Sequence, residues 1–132
     1  MSNTLYTDVE IDSIYTLDRC VISPIHNNDV KEIVLQINKE HLGKFELTFY
    51  SKEQFPNSPT ATGVMPSVGR TVAVDPSVIP YGTVIEIDGF GIRCAEDTGG
   101  AIKGNKIDVF VETTAEAYQF GRQKDVDVWV VK

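Results

Sequence analysis

Residues 97–108 read DTGGAIKGNKID, and no other stretch of this chain has so narrow an explanation. Two carboxylates, Asp97 and Asp108, bracket a Gly-rich turn set inside strand-like sequence. Asp97 follows the run Ile92 to Ala95, and Asp108 interrupts a run that continues as Val109, Phe110 and Val111. A third acid, Asp75, closes the run Thr71 to Val74 and precedes Pro76. All three stand where a strand meets a loop. A strand end gives a carboxylate a fixed direction while the loop gives access to a substrate, so the set points to acid–base chemistry. Taken singly, each is equally an ordinary turn aspartate, because Asp favours loop starts and local backbone hydrogen bonds.

Outward from this block the rhythm is that of short strands. Thr71 to Val74, Thr83 to Ile87, Gly91 to Ala95, Ile107 to Val111 and Val126 to Val131 are separated by Pro76, Pro80, Gly82, Gly89 and the Gly99–Gly100 pair. Strands so short and so closely spaced imply a closed or nearly closed barrel. One helix interrupts them: Thr113 and Glu116 form a capping box, the run extends from Thr114 to Phe120, and Gly121 stops it. Upstream, Phe45, Leu47 and Phe49 alternate with Glu46 and Thr48, which reads as a strand entering the barrel. Between them, Ser51 to Gly69 contains three of the chain's six prolines and little periodicity. That predicts a long loop over one end of the fold, and loops of such length in compact domains are often functional. Earlier still, Val30, Ile33, Val34, Ile37 and Leu42 approach helical spacing, with Asn28 or Asp29 as cap and Gly43 past the end; Val9 to Ile25 has room for one or two short strands.

At 132 residues the chain holds one domain with a real core, and 42% apolar residues place it among globular proteins. A formal charge of −7 argues against a nucleic-acid partner, whose phosphates this surface would repel. No run approaches membrane-spanning length. The N-terminus, MSNTLYTDVEID, is acidic and lacks a basic start and an apolar core, so no signal peptide is expected.

The segments GRTVAVDPSVIPYGTVIEI and AEDTGGAIKGNKIDVFV resemble the 3D (three-aspartate) domain of cell-wall lytic enzymes. That family is related to the barrel of membrane-bound lytic transglycosylase A and to stationary-phase survival proteins. The resemblance runs from about Phe45 to Lys132 and maps the three family aspartates onto Asp75, Asp97 and Asp108. It implies a mainly β fold, a double-psi β-barrel of residues 45–132 with one packed short helix, preceded by an N-terminal α/β extension of residues 1–44 whose role is unassigned. It further implies peptidoglycan glycan strands as partner, cleavage of the β-1,4 bond between N-acetylmuramic acid and N-acetylglucosamine, and neither cofactor nor metal. In the family's chemistry one acid serves both half-reactions, because the muramyl C6 hydroxyl replaces water as the attacking group. By resemblance that acid is Asp108, with Asp97 and Asp75 as neighbours that orient it and raise its pKa as like charges. Without a leader, such a protein is expected to reach the wall by phage delivery, as part of a larger protein, or as a chain from which a leader has been trimmed.

Two rival readings stay open at this level: a polysaccharide hydrolase, which would use Asp97 as base or nucleophile, and a non-catalytic glycan-binding module on the same barrel. Three clustered acids count against the latter. The remaining candidates each have a plain counterpart. GGAIKG lacks the Lys placement of a phosphate loop and lies between strands, so Gly99 and Gly100 either let the backbone approach a sugar ring or take left-handed turn angles. Thr62 and Gly63 correspond to a Thr-Gly that lines the family's substrate groove, or form a plain loop. Lys103 either meets an anionic group of the substrate or is a solvated loop lysine. Tyr50, Phe55, Tyr81, Phe90, Tyr118 and Trp129 offer sugar-stacking faces or core packing, with Trp129 read as packing. Cys20 and Cys94 show no metal-ligand spacing and read as two thiols or a single disulfide. His26 and His41 read as surface histidines.

Overall fold

A computed structural model describes residues 38–132 and, before them, the backbone of residues 15–18 and 21–24. In that earlier part β1 (Tyr15–Asp18) and β2 (Val21–Pro24) pair antiparallel as a two-stranded sheet of their own. From Asn38 onward the chain is mainly β. β3 (Lys39–Ser51), β4 (Thr71–Ala73), β5 (Val84–Ile87), β6 (Gly91–Asp97), β7 (Lys106–Val111) and β8 (Gln123–Val131) close into a barrel in the order β3-β7-β4-β6-β5-β8. α1 (Thr114–Phe120) is the one helix among the described residues.

β3 spans 13 residues and serves two neighbours. Its first half runs antiparallel to β8 and its second half parallel to β7, from Glu46↔Lys106 to Ser51↔Val111. The predicted helix over Asp29 to Leu42 is corrected here: Lys39 to Leu42 already belong to this strand, and residues 29–37 lie outside the described residues. The helical spacing is a local signal, whereas the ladder with β8 satisfies the backbone of Lys39 to Leu42 through a partner distant in sequence. Gly43 takes a φ of +135° beside a register shift in that ladder, a conformation that only glycine adopts readily.

The interior follows strand alternation. Phe45 and Leu47 of β3, Val72 of β4, Ile85 and Ile87 of β5, Ala95 of β6, Ile107 and Val109 of β7 and Val128 of β8 meet in one buried cluster. Removing such a side chain, as in Leu47→Ala, costs about 2–5 kcal/mol because the surroundings collapse only in part. α1 is built as its sequence signals require. Thr113 at the N-cap accepts from the Glu116 amide at 3.1 Å, the Glu116 carboxylate accepts from the Thr113 amide at 3.1 Å, and Gly121 leaves the helix at φ +64°. Phe120 stacks on Phe49 with ring centroids 4.9 Å apart, which docks the helix on the barrel.

Residues between the inward-facing ones point to the barrel's outer face, and there the register sets up a row across four strands. Thr48 of β3 faces Asp108 of β7, Asp108 faces Ala73 of β4, and Ala73 faces Asp97 of β6. A register shift makes this possible. Val72 faces Ala95 but Ala73 faces Asp97, so Glu96 is passed over and Asp97 turns to the outer face instead of the core.

Candidate functional site

The 52–70 loop and this row together line an open cavity of about 340 Å³. Asp97, Asp108 and Ala73 line its barrel side, Pro59 and Pro66 come from the loop, and Gly99 and Ile102 from the 98–105 turn. The two carboxylates stand two strands apart, so their Cα atoms are on the order of 10 Å from each other. Ala73 lies between them, and its single methyl leaves the space that the cavity occupies.

The loop is pinned to the site by charged groups. The buried Glu96 carboxylate accepts from Thr71 Oγ1 at 2.7 Å and from Arg70 Nε at 3.1 Å, while Arg70 also donates to the Met65 carbonyl at 2.9 Å. The Ala61 amide donates to Asp97 Oδ1 at 2.9 Å, and the Thr98 amide donates to the same oxygen at 2.9 Å. Tyr50 donates its hydroxyl to Asp97 Oδ2 at 3.2 Å. Three donors thus converge on Asp97.

Asp108 is treated differently. It is half-buried and accepts one hydrogen bond among the described residues, from Thr48 Oγ1 to Oδ1 at 2.9 Å. Burial pushes its pKa above the ordinary carboxylate value, against the opposing effects of the Thr48 hydroxyl and the Lys106 charge; the like charge of Asp97 adds to the rise as the smallest contribution. Of the two like charges expected to raise this pKa, Asp97 does so, as the smallest contribution, and Asp75 is not among the causes. Loss of water outweighs like-charge repulsion, because the cavity separates the two carboxylates.

Asp75 does not line the cavity; it is partly exposed, and both its carboxylate oxygens accept hydrogen bonds from neighbouring turns. Oδ2 accepts from the Gly104 amide at 2.8 Å, and Oδ1 accepts from the Ser77 amide at 3.0 Å and the Ser77 hydroxyl at 2.7 Å. The Gly104 amide, then Ser77, hold its pKa down at about 2. It contributes nothing to the shift on Asp108. What it does is fasten the 98–105 turn, whose Gly99 and Ile102 line the cavity, to the end of β4.

The other expected residues divide in the same way. Gly99 lines the cavity, but Gly100 and Lys103 are exposed outside its lining. Of the two readings of the Gly pair, the left-handed one applies to neither residue: in this turn the positive φ belongs to Gly104, at +70°. Thr62 and Gly63 belong to a tight turn closed by the Thr60 amide on the Val64 carbonyl at 2.8 Å, and the neighbouring Ala61 makes the contact with Asp97. Tyr50 and Phe55 line the cavity, while Trp129 lies on the barrel's outer face with Lys39 Nζ 4.7 Å from its ring. Cys94 is buried and disulfide-bonded, which removes the two-thiol reading; the chain's other cysteine, Cys20, lies outside the described residues, as does His26. His41 Nε2 meets Asp127 Oδ1 at 2.9 Å on the surface. Among the described residues no group of three or more His, Cys, Asp or Glu is placed to hold a metal ion, and no helix is long and apolar enough to cross a membrane.

Two contributors were missed from the sequence: the Thr48 hydroxyl and the Tyr50 hydroxyl. The signal was present, since LTFY places both on one face of a strand whose opposite face, Leu47 and Phe49, turns to the core.

Comparison with known proteins agrees with the resemblance read from the DTGGAIKGNKID block. Residues 70–132 match the family model of the 3D domain, so this segment, from the start of β4 onward, carries that domain. The chain is 39% identical over 104 residues to the cell wall-binding protein YocH of Bacillus subtilis (strain 168), covering 72% of this chain and 36% of YocH. It is 48% identical over 68 residues to the putative cell wall shaping protein YabE of the same organism, covering 48% of this chain and 16% of YabE. The crystal structure of MltA from E. coli aligns with a TM-score of 0.47 at 28% identity, over 57% of this chain and 27% of that one. The chain thus spans well under half the length of the curated relatives it matches.

Proposed function

We propose that the chain is a peptidoglycan lytic transglycosylase that acts at the bacterial cell wall, with Asp108 as the acid. The observation that carries this reading is Asp108 itself, a carboxyl whose burial favours its neutral form at the edge of a cavity shared with a second carboxylate. A general acid must hold its proton near the working pH, and burial is the means by which proteins arrange that.

The proton balance closes on one residue. Asp108 gives its proton to the glycosidic oxygen as the bond from that oxygen to the muramyl anomeric carbon breaks, and positive charge develops on the ring. The Asp108 carboxylate then takes the proton of the muramyl C6 hydroxyl as that oxygen bonds to the anomeric carbon. A 1,6-anhydro ring forms, Asp108 is restored, and no water is consumed. Asp97, with three hydrogen-bond donors on its oxygens, faces the developing positive charge from across the cavity. Asp75 serves as the fastener of the 98–105 turn.

The experiment is digestion of purified peptidoglycan with mass spectrometry of the released muropeptides. Anhydromuramyl ends without new reducing ends are expected; reducing muramic acid would make the protein a hydrolase. A second reading is favoured by the description of YocH as a cell wall-binding protein: the cavity binds glycan without cleaving it. Intact peptidoglycan that retains the protein but releases no fragments would select that reading.

A further inference from the structure

We infer that β3 supplies the two hydroxyls that give the cavity's carboxylates different tasks: Thr48 positions Asp108 and Tyr50 positions Asp97. The inference deepens the transglycosylase reading and rests on it for the effect on rate, though the hydrogen bonds themselves do not. Both residues precede the segment that the family match covers, so that match assigns them no part in the site.

Three observations carry it. First, residues two apart on a strand point to the same face, so Thr48 and Tyr50 both reach the outer face where the row of register partners lies. Second, each hydroxyl ends on a different carboxylate: Thr48 Oγ1 donates to Asp108 Oδ1 at 2.9 Å, and Tyr50 donates to Asp97 Oδ2 at 3.2 Å. Third, neither donor is loose. Thr48 is the register partner of Asp108, and the Tyr50 ring packs against Phe110 at 5.2 Å and Phe55 at 6.2 Å between centroids.

The two bonds have different chemical consequences. With Oδ1 of Asp108 engaged by Thr48, Oδ2 is the oxygen left to carry the transferable proton, so the bond sets which oxygen is the acid. It also favours the ionised form and so tempers the effect of burial. Tyr50 has no such partner role toward Asp108. Burial and the nearby Asp97 push its phenol well above its ordinary value, so it stays a donor at every working pH. It therefore holds Asp97 as an acceptor in one orientation.

The test separates these bonds from the reaction. The Asp108 carboxyl is titrated by carbon-13 NMR in the wild type, Thr48→Val and Thr48→Ser. The other titratable or charged groups bearing on it are Lys106 on β7, Asp97 on β6 and Tyr50 on β3, all retained in these variants, while β4 presents only Ala73. The Asp108 midpoint should rise by about one pH unit in Thr48→Val and return in Thr48→Ser. An unmoved midpoint in Thr48→Val overturns the role of Thr48, whether or not the protein cleaves peptidoglycan.

For Tyr50, urea unfolding of Tyr50→Phe, Asp97→Asn and the double variant should be non-additive by on the order of tenfold in the unfolding equilibrium constant. Additive effects overturn the role of Tyr50. In cleavage assays Tyr50→Phe should lower kcat about tenfold with little change in KM, and should cost nothing further in an Asp97→Asn background. If the midpoint shift and the unfolding coupling appear while wild-type protein releases no anhydromuramyl ends, the positioning bonds stand and the transglycosylase reading falls.

Discussion

Asp75, just past the end of β4, and Asp108, near the start of β7, both stand beside the 98–105 turn, yet the fold gives them different partners. Asp75 spends both oxygens on three donors, which holds its pKa at about 2. Asp108 lies half-buried under the 52–70 loop with one hydroxyl donor, and loss of water pushes its pKa up. In the proposed mechanism the donor-rich Asp75 acts as a fastener and the half-buried Asp108 as the acid. On that proposal the three aspartates of the motif divide between holding a turn and transferring a proton.

The largest effect that would sharpen this contrast is expected at Asp108. Asp108→Asn should lower cleavage by about 10²–10⁴-fold, because an amide fills the same space without a transferable proton. Its thermal midpoint at neutral pH should not fall. A raised folded-state pKa is a gain that is fully present at low pH and lost as pH rises through the folded value, so stability should fall less with rising pH in the amide variant, which has no charge to bury, than in the wild type. Near-normal cleavage by this variant would break the assignment.

Next in size is Ala73→Leu, which leaves both carboxylates and fills the gap between them. A loss of cleavage on the order of 10²-fold, with the fold intact by circular dichroism, is expected because the substrate can no longer enter the correct geometry. Unchanged cleavage would place the reaction outside the cavity. Asp97→Asn should cost roughly tenfold, since the amide cannot accept from all three donors. It should also move the alkaline limb of the pH–rate profile only slightly downward, given that Asp97 is the smallest contributor to the Asp108 shift. A downward move of a full unit or more would restore like-charge repulsion as the main cause.

Asp75→Asn should have the smallest effect on cleavage at neutral pH, within about threefold, because the carboxylate holds a turn and touches no part of the cavity. Its signature lies elsewhere. A depressed folded-state pKa adds stability that is present above the unfolded value of 3.8 and is lost as pH falls toward about 2. Wild-type protein should lose stability across that window, and Asp75→Asn should lose less. Abolished cleavage at pH 7 in a well-folded Asp75→Asn protein would return Asp75 to the chemistry and dissolve the contrast.

Much of the barrel was legible in advance because its signals are local. The strand beginning at Thr71 and the helix from Thr113 to Gly121 appear where alternation, capping box and stop glycine place them. Lys39 to Leu42 have a spacing that suits a helix when taken alone, and pairing with β8 decides otherwise. At the site, Asp97 and Asp108 were legible as a bracketed pair. Thr48, Ala73 and the hydroxyl of Tyr50, whose ring alone is legible as a stacking or packing face, were not, since their part depends on cross-strand register and not on any motif.

The sequence by itself determined the alternating strands, the capped helix, the long proline-containing loop and the presence of three strand-end carboxylates, because each follows from backbone preferences over a few neighbouring residues. Only the tertiary structure decided which carboxylate is dry, which is saturated with donors and which serves as a fastener. The passed-over Glu96 turns Asp97 outward, the small Ala73 opens the space beside Asp108, and the loop pinned by Arg70 and Asp97 lines its other side. Solvation and hydrogen-bond partners are properties of assembled strands, and they set the chemistry of a carboxylate that its place in the chain leaves open.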